Sequence, residues 1–86
     1  VFLPEGKPQI PSVATTSPRR EQAKRFGAVL RRLRARAGMT QEALAEAAGI
    51  SPRYVQALEQ GLNVPSIYIG AALKKALKVD WDELVK

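Results

Sequence analysis

The chain has 86 residues, 45% of them apolar, and a net charge of +6, which suits one small packed domain. It contains no cysteine and no histidine, which rules out disulfides and thiolate metal sites and removes the commonest general base, so neither catalysis, a metal nor a cofactor is expected. No apolar run approaches the roughly 20 residues that cross a bilayer, and no long apolar core follows a basic start, so neither a membrane span nor a signal peptide is expected.

Residues 1–17 carry Pro4, Pro8 and Pro11 among scattered serines and threonines without a sustained period. They read as an extended or flexible arm ahead of a domain over 18–86. Ser17 and Pro18 then stand as N-cap and first residue of a long helix ending near Ala37, with Gly38 as its stop. Phe26, Val29, Leu30, Leu33 and Ala37 fall on its apolar face. This segment also holds the charge: residues 19–36 contain eight cations and one acid, whereas the rest of the chain is close to neutral. On a helical wheel Arg25, Arg32 and Arg36 share one flank, within reach of phosphates, and Arg34 lies on the other flank at the edge of the core. Such a stripe attracts a polyanion, most simply nucleic acid.

Residues 40–61, TQEALAEAAGISPRYVQALEQG, are the most informative in the chain. Thr40 is the expected N-cap of a second helix whose Leu44, Ala45 and Ala48 repeat at helical spacing. Gly49 supplies a left-handed turn residue. Ser51 caps a third helix with Pro52 at its first position, and Val55 and Leu58 form its buried side. The opposite face gathers Arg53, Gln56, Ala57 and Gln60 with no acid among them. An arginine fork matches guanine and a glutamine amide matches adenine, so this strip suits base edges in a major groove. A polar stripe by itself would more simply be a solvated helix face; the glycine turn and the two caps in register favour the helix-turn-helix. Glu59 sits at a core-edge position matching that of Arg34, and the two are expected to form a partly buried ion pair.

Residues 62–65 read as a loop. Ser66 then caps a fourth helix running to about Lys78, with Ile69, Leu73, Ala76 and Leu77 inward, and Gly70 inside it marks a close contact with another backbone. Asp80 with Glu83 forms a capping box for a short last helix, and Trp81 and Leu84 are expected to seal the core.

From about residue 26 to 85 the chain resembles the phage repressor and Cro family of helix-turn-helix domains, also called the xenobiotic-response-element type. The resemblance rests on RARAGMTQEALAEAAGIS, YVQALEQG and ALKVDWDELV, in the family's order and spacing. It implies an all-α, compact five-helix lambda-repressor-like domain whose third helix lies in the major groove. Carried over by position, Pro52, Arg53 and Ala57 would touch bases, with Gln56 beside them. Thr40, Gln41, Ser51, Gln60 and Asn63 would contact the DNA backbone, and Arg34 with Glu59 would be the family's ion pair. Pro52 and Ala57 offer no side-chain donor, so Arg53 would bear most of the direct readout. The loop residues Leu62, Asn63 and Val64 stand where relatives often carry cations, Gly70 replaces a bulky apolar residue, and Lys78 stands where glycine is usual.

The resulting expectation is a sequence-specific transcriptional regulator, acting as a repressor on an operator in double-stranded DNA. It would bind as a homodimer, in a bacterial or phage-type cytoplasm on the nucleoid, pairing through Leu62, Val64 and the small residues around Gly70. A reading from a different class is an antitoxin or adaptor that captures a partner protein through residues 1–17, with or without DNA binding.

Overall fold

The computed structural model describes residues 18–85. Within them five helices follow in order: α1 (Pro18–Arg36), α2 (Gln41–Ala48), α3 (Pro52–Glu59), α4 (Ile67–Leu77) and α5 (Trp81–Leu84). The Ser17 cap, the arm and its partner-binding role lie outside the described residues.

Local chemistry sets the boundaries. Thr40, Ser51 and Ser66 each accept the N–H three residues on, at 3.0, 3.1 and 3.2 Å, and so satisfy one orphan donor of α2, α3 and α4. The first four helices close alike. Met39, Ile50, Leu62 and Val79 donate their N–H groups back five residues to the carbonyls of Arg34, Ala45, Ala57 and Lys74. That closure needs a left-handed residue, supplied by Gly38, Gly49, Gly61 and, without glycine, Lys78 at φ 58°.

The core draws on every helix: Leu30, Leu44, Val55, Leu58, Leu73 and Leu84 are fully buried. α1 packs on α3 and α5, and α2 on α3 and α4. Four expectations are corrected. Ala37 lies beyond the end of α1 and is exposed, because the helix closes at Arg36. Asp80 takes the extended cap conformation but makes no side-chain cap bond, and the Glu83 carboxylate accepts instead from Arg36 at 3.0 Å. Trp81 is 41% exposed rather than sealed in. Its ring lies across Gly70 and under Lys74, whose Nζ is 5.9 Å from the ring centroid, so Gly70 faces a side chain and not a backbone.

The glycine that does meet a backbone is Gly27. A Cβ there would run into the Leu58 carbonyl and stand 2.7 Å from that of Glu59, so α1 and the end of α3 touch main chain to main chain. Two turns on, the guanidinium of Arg34 closes the same crossing. Its Nε donates to Glu59 Oε2 at 2.6 Å, its Nη2 to Oε1 at 3.2 Å and its Nη1 to the Met39 carbonyl at 2.9 Å. Gln41, at the start of α2, donates to Glu59 Oε1 at 3.0 Å. The expected ion pair is therefore present, and it joins three helices. Burial pushes the Glu59 carboxyl up, but the bonds from Arg34 and Gln41 and the charges of Arg34 and Arg31 outweigh that and hold it below its ordinary range. The bond to Glu59 raises Arg34 in turn.

Two glycines should respond to alanine with opposite signs. Gly27→Ala has only rigid carbonyls to displace and is expected to cost about 2 kcal/mol. At Gly70 a Cβ would meet the Trp81 ring at an ordinary 3.4 Å, so Gly70→Ala is expected to gain about 0.5–1 kcal/mol from helix propensity and a stiffer unfolded chain. Urea midpoints of the two variants decide it, and shifts of the same sign would reject this packing.

The ion pair should be asymmetric, because the Glu59 side chain is 3% exposed and that of Arg34 18%. Arg34→Ala strands a buried carboxylate and is expected to cost about 3 kcal/mol, whereas Glu59→Ala leaves a guanidinium nearer water and should cost about 2 kcal/mol. With the folded carboxyl depressed, the unfolded chain binds more protons in acid. The pair's contribution is then complete above about pH 4.3 and drains away as pH falls through the folded value. Unfolding titrations of Glu59→Gln across that range should show a shallower acid slope than the parent chain.

Candidate nucleic-acid interface

α3 divides its residues cleanly between core and solvent. Val55, Leu58 and Glu59 point inward, Pro52, Arg53 and Gln56 are exposed, and Ala57 is half-buried between the two sets. Gln60, just past the helix, is exposed as well. The one acid of α3 is thereby turned into the Arg34 and Gln41 contacts, so the outer face carries a cation and amides but no negative charge. Such a surface offers a bidentate arginine and paired amide donors and acceptors, the groups that read base edges.

The starts of α2 and α3 accompany this face. Thr40 and Ser51 are exposed cap residues, and their hydroxyls are engaged by Ala43 and Tyr54 N–H groups. Remaining N–H groups of these first turns point out of the helix ends with the positive end of the peptide dipoles, which favours an anion. Gln41 is half-buried, and one hydrogen of its amide is committed to Glu59. Asn63 is exposed in the loop after α3.

The cations of α1 fall on two flanks. Lys24 packs against Gly61, Gly27 against the last carbonyls of α3, Arg31 bears on the Glu59 carboxylate and Arg34 binds it. Spaced by three, four and three, these residues form the stripe facing α3. Arg25 and Arg36 belong to the other side. Arg25 lines a groove with Trp81 and Val85, and Arg36 pairs with Glu83 of α5 at 3.0 Å. Arg32 falls beside Arg25 on the helical wheel. The structure thus keeps Arg53, Gln56 and Gln60 exposed on α3 behind its Ser51 cap, joins Gln41 to the end of α3 through Glu59, and sets Arg25 and Arg36 on the α5 flank. Sequence reasoning passed over Lys24 and Arg31; the signal was Gly27, since a glycine amid a long helix marks the flank where another chain comes close.

Among the described residues no helix is long and apolar enough to cross a membrane, and no cluster of three or more acidic, cysteine or histidine side chains is placed to hold a metal ion.

Comparison with known proteins agrees with this geometry. The family model for a helix-turn-helix domain matches residues 25–85. The restriction-modification controller protein C.AhdI from Aeromonas hydrophila is similar in structure, with a TM-score of 0.75 and 32% identity over 79% of this chain and 99% of that one. The clp gene regulator ClgR from Corynebacterium glutamicum is similar too, with a TM-score of 0.71 and 35% identity over 73% of this chain and 67% of that one. No curated protein matches the chain. With capped helices, left-handed glycine turn, inward Glu59 and acid-free outer face all in register, the chain belongs to the helix-turn-helix domain family and is a DNA-binding regulator of the phage repressor and Cro type.

Proposed function

We propose that the protein represses transcription by occupying an operator as a dimer, with α3 of each copy in a major groove. The observation that carries this reading is the outer face of α3, where Arg53 and Gln56 stand exposed while the helix's acid is sequestered. Arg53 reads a guanine through its fork, Gln56 assists, and Pro52 and Ala57 give apolar contact to thymine methyls. Thr40, Gln41, Ser51, Gln60 and Asn63 hold phosphates through helix N-termini, hydroxyls and amides, with the second amide hydrogen of Gln41 turned to DNA. Arg25, Arg32 and Arg36 add long-range attraction from the α5 flank. That one similar protein is a clp gene regulator and the other a restriction-modification controller supports a regulatory role here.

Pairing is supported by an apolar surface. Leu62, Val64, Ile67 and Tyr68 are all exposed, Tyr68 at 83%, and a single domain this small reaches few bases. Two copies on half-sites about 34 Å apart would double the contacts. Gly70 drops out of this surface because it is buried beneath Trp81.

Selection of duplexes from a random library should return a palindromic consensus. On that duplex Arg53→Ala is expected to lose about 1–3 kcal/mol of discrimination at one base position, while Arg32→Ala should weaken specific and random duplex alike. Equal losses on both duplexes from both variants would defeat the assignment of Arg53.

A further inference from the structure

We propose that the groove between the first turns of α1 and the α3–α4 loop is a second seat for the DNA backbone, taking phosphodiesters that flank the bases under α3. The inference rests on the DNA-binding reading above. Its geometry comes from Gly61, which is left-handed at φ 77° and lies so close to α1 that a Cβ would stand 3.0 Å from Lys24 Cα. That approach lays the loop along α1 and leaves a groove of about 960 Å³, with Arg19, Arg20 and Lys24 on one wall, Gln60 and Asn63 on the other, and Leu62 and Val64 of the pairing surface also lining it. None of its described lining residues is acidic.

Three features make phosphate the fitting occupant. Leu62, Asn63 and Val64 carry no cation, so the charge that anchors a strand beside this loop must come from α1, and the groove is where α1 meets the loop. An arginine fork, a lysine point charge and neutral amide donors together satisfy a phosphodiester, which spreads one negative charge over two oxygens. Arg19 also stands in the first turn of α1, at the positive end of the helix dipole, where a cation is disfavoured within the helix and a bound anion reverses the sign. Gln60 belongs both to the outer strip that continues from α3 and to the groove wall, so a strand leaving α3 passes onto the groove without a break.

The test uses the full chain and its library-selected duplex, trimmed to the consensus or extended by about ten base pairs of arbitrary sequence on each side, one further helical turn. The parent chain should bind the extended duplex about tenfold more tightly, a gain set by the added phosphate contacts. In Arg19→Gln/Lys24→Gln that gain should disappear, and the slope of log affinity against log salt should fall by about 3–4, because the dimer loses two cations from each copy. The consensus should stay the same, as should the helical content and melting of the variant. The charge-matched pair Arg25→Gln/Arg32→Gln, on the α5 flank, should keep most of the length gain. A groove variant that retains both slope and gain, or a control that loses as much, overturns the groove as a seat while leaving the operator reading intact. Failure of the parent chain to select any consensus overturns the operator reading itself, and the groove with it.

Discussion

The contact on which the rest of the structure depends is the crossing of α1 over the end of α3, where Gly27 lets two backbones touch and Arg34, two turns along α1, grips Glu59. A buried ion pair is poor evidence of stability, since desolvation consumes most of its attraction. Its value here is geometric. One carboxylate receives three donors from α1 and α2, so the roll of α3 and the start of α2 are fixed by the same two oxygens. The pair also has an electrostatic consequence. Rolled outward, α3 would present Glu59 to a polyanion; rolled as it is, the helix offers only Arg53 and neutral groups.

What could be read from the sequence follows how local the chemistry is. Thr40, Ser51 and Ser66 were legible because a cap bond spans three residues and depends on residue type alone. The Arg34–Glu59 pair was legible because each residue's wheel position puts it at the rim of an apolar stripe. By contrast, the wheel shows that Arg25, Arg32 and Arg36 share a flank but not which flank looks toward α3. That choice is made by Gly27 and Gly61, contacts between segments far apart in the chain. Trp81 was misjudged for a related reason. A tryptophan on a four-residue helix has too little neighbouring structure to enclose it, so its ring approaches Gly70 through Cζ3 and Cη2 while the residue stays exposed. Lys78 holds a left-handed cap that glycine would adopt without strain, and the closing bond from Val79 to Lys74 forms regardless.

Charge and reading chemistry are carried by different helices of one rigid body. α3 has a single cation on its outer face, whereas residues 19–36, with eight cations and one acid, carry more than the whole net charge of +6. Phosphate contacts position a protein on DNA and base contacts discriminate, and a Debye length of about 8 Å at physiological salt keeps the field of α1 felt chiefly by strands close to it. The Lys24–Arg31 stripe borders α3, with Lys24 against Gly61 and the charge of Arg31 felt at Glu59. The α5 flank is spent partly within the protein, with Arg36 tied to Glu83.

This separation determines which positions of α3 are free to change. Val55, Leu58 and Glu59 are held by the core and the crossing, so substitution there disturbs the fold before it alters any contact with DNA. Arg53 and Gln56 project into solvent, and the core does not depend on their side chains. Exchange at exposed helix positions with good helix formers usually shifts stability by less than about 0.5 kcal/mol, so the scaffold tolerates substitution at these two positions without repacking. Ala57 is the intermediate case. It is half-buried beside Leu58, and a longer side chain there reaches the groove only by leaning away from the core edge, which ties its choice to the packing beneath. The outer face is therefore freest to vary at the start of α3 and becomes coupled to stability one turn later, where the helix descends toward Glu59.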